Sequence, residues 1–512
     1  MGNCLPLPWT KSKALPIETL FRLPSPLPTW PPSEGFGSGV IDLGGLLVRQ
    51  LSSFTKIWAT YQGGPDDLGA TFFEPSEMPE GFFLLGCYSQ PNNKPLFGWV
   101  LVAKDDSTDA SLLAKPVDYT LVWSSESLNM KKDGNAYFWL PTPRDGYKTM
   151  GHVITNSPEK PSLDKIRCVR SDFTDGCEAD TWIWGPQKNV NETGFNVFSV
   201  RPSIRGSQAM GVSVGTFAAG NGNGSVNLAC LKNAKSDLSY MPNLHQIEIL
   251  FQAYSPWIYF HPNEKHLPSS VSWYFIKGAL LYKKGEESNP VVIEPTGANL
   301  PQGGSNDGAY WLDLPVDEGA KERVKKGDLS NSQAYLHVKP MLGATFTDMA
   351  IWVFYPFNGP ARAKVEFINV DLGKIAELEF QGGNKPVSYS SLNGHAIYSK
   401  PGLVLQGSSG IGIRNDTAKS TMLMDTGRQF SVVAADHLGS TVTEPPWLNY
   451  FRGWGPKISY NIDDQIKTVE KALPGKLKSV FEKAVKSIPK EVLGEEGPTG
   501  PKVKANWTGD EI

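Results

Sequence analysis

Cysteine is scarce and unpatterned in this chain: Cys4, Cys87, Cys168, Cys177 and Cys230 are five among 512 residues, with no CxxC spacing. That excludes a disulfide framework and a thiolate zinc site, and it points to a reducing compartment. In such a compartment the sequons at Asn191, Asn223, Asn415 and Asn506 carry no glycan. A formal net charge of only −3 leaves no basic footprint for nucleic acid. No apolar run approaches the roughly 20 residues of a membrane span, and the first residues lack the basic and apolar regions of a secretory signal. G-x-S-x-G, P-loop, HExxH and EF-hand patterns are all missing, so nothing signals a nucleophile elbow, a phosphate cradle or a cofactor.

What the chain does have is a triplication between Trp58 and Cys230. Each unit opens on an aliphatic residue and a tryptophan: Ile57-Trp58, Val122-Trp123 and Ile183-Trp184. A turn glycine follows at Gly69, Gly134 and Gly194, and a short aromatic run then reaches Pro75, Pro141 and Pro202. Glycine pairs come next (Gly81/Gly86, Gly146/Gly151, Gly206/Gly211), and a strand-like run beginning at Leu101, Cys168 or Cys230 closes each unit. A period of about 60–65 residues suits one small antiparallel sheet per unit. The turn glycines supply positive φ, the prolines belong at strand edges or starts, and the indoles are large enough to fill a shared axis. Three such sheets predict a pseudo-threefold β-prism-like domain over residues 38–234, with Cys168 and Cys230 as small apolar fillers.

Residues 1–37 read as a Pro-rich lead-in. Gly2, exposed after methionine removal, is a candidate myristoylation site and Cys4 a candidate palmitoylation site, although Pro6 stands where Ser or Thr is expected. Beyond the polar stretch 233–243, residues 244–455 predict a β-sandwich-like domain. Its strand candidates are Ile247–Tyr254, Trp257–Phe260, Ala334–Val338, Ala350–Tyr355 and Val365–Val370. A short helix is expected after Ser269, with Val271, Tyr274 and Phe275 on one face. Residues 464–490 predict an amphipathic helix, with Leu473, Leu477, Val480, Phe481, Val485 and Ile488 on one side and lysines elsewhere. It would pack on the protein body or lie on an anionic membrane. Residues 494–512 read as a mobile tail.

The polar residues of interest are His261, Glu264 and His266 in FHPNEKHLPSS, His395 in SSLNGHAIYSKPG, and Asn415-Asp416 in GIGIRNDTAKS. Imidazoles and a carboxylate could hold a divalent cation or polarise a water. Equally, such residues cap turns and satisfy loop backbone groups.

Several long runs carry a resemblance: GGPDDLGATFFEPSEMPEGFFLLGCY, FHPNEKHLPSSVSWYF, GIGIRNDTAKS and RGWGPKI. With the ends FRLPSPLPTWPPSEGFGSGVIDLGGLLV and EEGPTGPKVKANW, the chain resembles the plant branch of the vacuolar protein sorting-associated protein 62 family over nearly its whole length. The resemblance implies a role in delivering cargo to the vacuole, without a defined biochemical activity. The repeats also resemble β-prism modules of membrane-trafficking proteins, including ones that bind acidic lipid surfaces. One departure stands out: the family's Gly-Asp-Trp-Glu-His segment is absent, and Ile375 runs straight into Ala376. That segment is similar to a motif of necrosis-inducing toxins whose β-sandwich holds a divalent metal and recognises sphingolipid head groups. By this analogy His261, Glu264 and His395 flank a site whose centre is missing.

The expectation is therefore a non-enzymatic binding protein of the vacuolar sorting type, cytoplasmic and peripheral on endosomal, vacuolar or plasma membranes. Its expected partners are acidic membrane lipids or trafficking proteins. The alternative is a metal-dependent domain that binds or hydrolyses lipid or glycan head groups, impaired by the missing segment.

Overall fold

The computed structural model describes residues 16–31, 35–191, 193–222, 226–235, 237–357, 378–408, 411–456, 498–504, 507 and 509. Gly2, Cys4, the strand expected at 365–370, the Ile375/Ala376 junction and the helix expected at 464–490 lie outside the described residues. The fold is mainly β and built from many small sheets. It divides into two units, the first taking in residues 1–22, 34–240 and 341–346, the second 23–33, 241–340 and 347–512.

In the first unit the triplication is physical. Three like sheets have the strand orders Phe54–Thr60, Ala70–Pro75, Tyr88–Pro91; Asp118–Ser124, Tyr137–Thr142, Val153–Thr155; and Thr174–Trp184, Phe195–Pro202, Phe217–Asn221. Each first strand carries a register shift just before its tryptophan: Trp58 faces Phe72, Trp123 faces Phe138, and Trp184 faces Val197. The aliphatic residue of each Ile/Val-Trp pair is the extra one, so the repeated dipeptide encodes a β-bulge that re-aims the indole inward. Trp184 lies 5.6 Å from Trp58 and 5.7 Å from Trp123, ring centre to ring centre. Where the third repeat has the smaller Val197 in place of Phe72 and Phe138, Phe217 fills the space, 5.5 Å from Phe72 and 6.1 Å from Phe138. Core volume is thus kept across the axis although its source moves.

A cyclic set of hydrogen bonds closes the ring. Arg167 N–H donates to the Leu84 carbonyl (2.9 Å), Ala229 N–H to Thr149 (3.0 Å), and Leu101 N–H to Val214 (2.8 Å). Each repeat's last strand is therefore bonded to the neighbouring repeat in the same rotational sense. These closing strands line a second apolar core with Leu46, Leu85, Met150, Val169, Val214 and Leu231.

The same bonds correct the register read from the sequence. Gly86 and Gly151 correspond to Thr216, not to Gly211, and Cys168 and Cys230 correspond to Val102, one position after Leu101. A Cβ on Gly86 would stand 2.8 Å from the Gly151 Cα, and one on Gly151 would stand 2.6 Å from the Thr216 Cβ. The repeats approach so closely at the axis that two of the three positions need glycine. Gly211 instead opens the strand Gly211–Val212, where Pro202 packs over it. Among the turn glycines, Gly69 has φ +79° and Gly134 φ +64°, but Gly194 does not take positive φ. Its lack of a Cβ makes room for the Asn191 side chain.

Among its described residues the second unit holds three α-helices: α1 (Leu244–Tyr254), α2 (Val271–Ile276) and α3 (Glu318–Lys325). The strand expected at Ile247–Tyr254 is α1. Asn243 and Gln246 form a reciprocal capping box at its start, and Ile247 and Phe251, one turn apart, are buried. The β-branched content there argued for a strand; the cap and the 3.6-residue spacing decide otherwise. α2 buries Val271, Tyr274 and Phe275, as its pattern predicts.

A central sheet of Phe346–Val353, Ala334–Met341 and Phe430–Ala434 buries apolar side chains on both faces. Leu336, Ile351 and Val353 pack against Ile258 and Phe260 of a neighbouring sheet, giving the sandwich-like pair of layers. Tyr335, Trp352 and Val433 face a third layer with α2, Trp447, Trp454 and Trp507. Two segments read as unstructured are packed. In the lead-in, Phe21 meets Phe97 in the first unit at 5.0 Å, and Ser25 N–H donates to Asn384 Oδ1 in the second at 2.8 Å. In the tail, Pro498–Lys504 and Trp507 are held against the second unit's core, with Trp507 buried.

Candidate functional site

Trp257–Phe260 runs parallel to Lys385–Ser390, with Phe260 beside Ser390. Parallel pairing puts the loops that follow both strands at one end of the sheet, so FHPNEKH meets SLNGHA. There the Glu264 carboxylate accepts backbone hydrogen bonds at both oxygens. Lys265 and His266 donate to Oε1 at 2.8 and 2.9 Å, and Asn393 donates to Oε2 at 2.7 Å. His395 Nε2 lies 3.3 Å from the same Oε2, with both side chains essentially out of solvent. The Tyr355 ring stacks on the imidazole at 4.1 Å.

Asn393 and His395 flank Gly394 with φ of +62° and +58°, in the left-handed region that side chains other than Asn and Asp seldom adopt. The strained turn is held by Glu264 and by His395 N–H donating to the Ser391 carbonyl at 3.0 Å. Burial by itself raises the Glu264 carboxyl. The His395 imidazole and the N–H groups of His266 and Asn393 outweigh that and hold it at about 2, down from the ordinary 4.5. Because the folded value is the lower one, the stabilisation is complete above about pH 4.5 and is lost as the pH falls toward 2. Glu264→Gln is expected to destabilise the second unit by roughly 1–3 kcal/mol at pH 7, since an amide N–H would confront backbone donors. Urea midpoints should show that gap closing as the pH falls from 4.5 to 2; a gap indifferent to pH would mean that the carboxylate charge plays no part.

A carboxylate–imidazole pair can move protons, but it must reach a substrate to do so. This one is sealed, and its acceptor capacity is spent on loop backbone. The structure thus brings Glu264 and His395 together and leaves His261 out of the pair: its Nδ1 accepts the Asn263 N–H at 3.2 Å within its own turn. Among the described residues no group of three or more His, Cys, Asp or Glu side chains is placed to hold a metal ion. Asp416 contributes its backbone carbonyl, which accepts from Leu392 N–H at 2.9 Å. Asn393 and Tyr355 escape the sequence reading, although the Asn393-Gly394 dipeptide is itself a turn signal.

A second gathering of residues lies in the first unit, where the loops after the three tryptophans meet. Tyr61 N–H donates to the Lys131 carbonyl at 2.9 Å, and Gly64 N–H to the Gly185 and Gln187 carbonyls at 3.1 and 3.0 Å. Gln62 links all three loops: its side chain accepts from Lys131 N–H at 2.9 Å and its carbonyl from Trp184 Nε1 at 3.0 Å. Lys131, Lys188 and Val190 are exposed on this platform. Gly69, whose Cβ would fall 2.0 Å from the Thr60 carbonyl, makes the first loop this tight.

Comparison with known proteins adds the following. The family model described as vacuolar protein sorting-associated protein 62 matches residues 17–378 and 375–511. No curated protein matches. The crystal structure of GNIP1Aa from Chromobacterium piscinae is similar over 41% of this chain and 40% of that chain, at 18% identity and a TM-score of 0.31. The alignment thus spans well under two thirds of that protein's length. No helix among the described residues is long and apolar enough to cross a membrane.

Proposed function

The chain belongs to the vacuolar protein sorting-associated protein 62 family, and from that premise we propose a non-enzymatic binding protein of the vacuolar sorting type whose first unit engages acidic membrane surfaces. Convergence of the three repeat-equivalent loops is the observation that carries this reading. Loops fixed to one another and to a buried aromatic core form a preorganised platform, which loses little entropy on binding. Lys131, together with Lys188, which also pairs with Asp67 at 2.8 Å, supplies attraction to anionic head groups, and Val190, 42% exposed, offers apolar contact at the interface. The non-enzymatic part of the proposal is supported by Glu264 and His395, whose bonds serve their own loops. Lipid attached at Gly2 or Cys4 would strengthen the same association.

Vesicle flotation of the full chain tests the proposal. Co-flotation with phosphatidylcholine vesicles containing phosphatidylserine, but not with phosphatidylcholine alone, is the expected result. High salt should release it. At about 1 kcal/mol per lysine near an anionic surface, K131A/K188A should weaken binding roughly thirtyfold. No flotation with either vesicle would sink the membrane reading.

A further inference from the structure

The third repeat places two thiols side by side. Thr174–Trp184 runs antiparallel to Ala229–Lys232, with Asp175 opposite Cys230 and Gly176 opposite Ala229. Residues two apart on a strand share a face, so Cys177 and Cys230 project from the same side, diagonally across the ladder. The register of the ladder sets the two thiols as near neighbours. Cys177 Sγ also lies 3.1 Å from the Leu228 carbonyl. Cys230 is fully buried, Cys177 is half-buried, and neither is in a disulfide.

We propose that Cys177 and Cys230 form a redox-responsive pair that a hydroperoxide converts into an intrachain disulfide. Cys177, the one that solvent reaches, attacks the peroxide as the thiolate. An S–O bond forms, the O–O bond breaks, and the alcohol or water leaves with a proton. The Cys230 thiol then attacks the Cys177 sulfur, forming the S–S bond and releasing the sulfenic oxygen as water with the Cys230 proton. The two sulfurs give up two electrons, and the peroxide bond takes them.

The electrostatics suit this division of roles. The hydrogen bond from Cys230 holds the Cys177 thiol below its usual range, while that same contact and burial push Cys230 well above it. Burial also raises Cys87 to about 12 and Cys168 to about 11, so these stay protonated and serve as internal controls. The cross-link would tie down Ala229–Lys232, the strand whose Ala229 N–H completes one of the three ring-closing bonds.

The test uses the full chain, reduced, freed of reductant and exposed to a slight excess of hydrogen peroxide before maleimide blocking and intact-mass measurement. Free thiols should fall from the five in the sequence to three. A linked peptide pair containing Cys177 and Cys230 should appear and should vanish with dithiothreitol. Cys177→Ser, at a half-buried position, should abolish the link; Cys230→Ala should instead leave Cys177 as the sulfenic acid, trapped by dimedone. Five thiols persisting in the native chain, or thiol loss as sulfinic acid without the linked pair, would overturn the proposal.

Discussion

Trp184→Ala should destabilise the first unit by about 3–5 kcal/mol, the loss expected for deleting a buried indole where little can collapse into the space. The ring is fully buried and touches all three repeats: Trp58 at 5.6 Å and Phe72 at 6.3 Å from the first, Trp123 at 5.7 Å from the second, and Phe195 at 6.1 Å from its own. The substitution also removes the donor to the Gln62 carbonyl and so loosens the loop platform. Trp123→Ala should cost clearly less, because that ring is only partly buried although it stacks on Phe195 at 4.3 Å. Denaturant unfolding of both variants measures the difference. Equal losses would mean that the three tryptophans are interchangeable and that the asymmetry of the core has no energetic weight.

Trp507→Ala should cost the second unit a similar loss of about 3–5 kcal/mol. The buried indole stacks on His337 at 4.8 Å and joins the core that holds Trp352, Trp447 and Trp454. His337, which burial pushes down to about 4, is neutral at pH 7 and donates Nδ1–H to the Trp507 carbonyl at 2.5 Å. Nearby, buried Lys339 pairs with Asp348 at 2.8 Å and donates to the Gly509 carbonyl at 2.8 Å. Loosening the tail therefore exposes a buried cation to incomplete pairing as well as opening a cavity. Further back, Trp454 N–H donates to Pro498 at 2.7 Å, and Lys502 reaches Glu444 and Asn449 at 2.5 and 2.8 Å. Hydrogen exchange should accordingly accelerate along Ala334–Met341 in the variant. Unchanged protection there would show that the indole only fills space.

Much of the fold was legible because it repeats. The Ile/Val-Trp dipeptides recur at similar intervals, and each one is a bulge delivering an indole to the same core. The register of the third repeat was harder to read. Gly211 imitates the second glycine of a pair, and the position on the axis belongs to Thr216, which no glycine pattern marks. In the second unit the FHPNEKH and SLNGHA runs announced Glu264 and His395. Their meeting depends on a parallel pairing between strands well over a hundred residues apart. The tail misled for a different reason. A short polar segment with Gly and Pro lacks local order of its own, and what orders Trp507 is an aromatic pocket assembled from distant strands.

By itself, then, the sequence determined the β-rich class, the threefold repetition and the residues that build its core, because strand alternation, bulges and turns are local properties. Tertiary structure alone decided which glycines lie on the axis and that the Glu264–His395 pair serves its own loops. It likewise brought Cys177 beside Cys230 and seated the tail in the core. Those outcomes depend on long-range register and close packing, which no local pattern specifies.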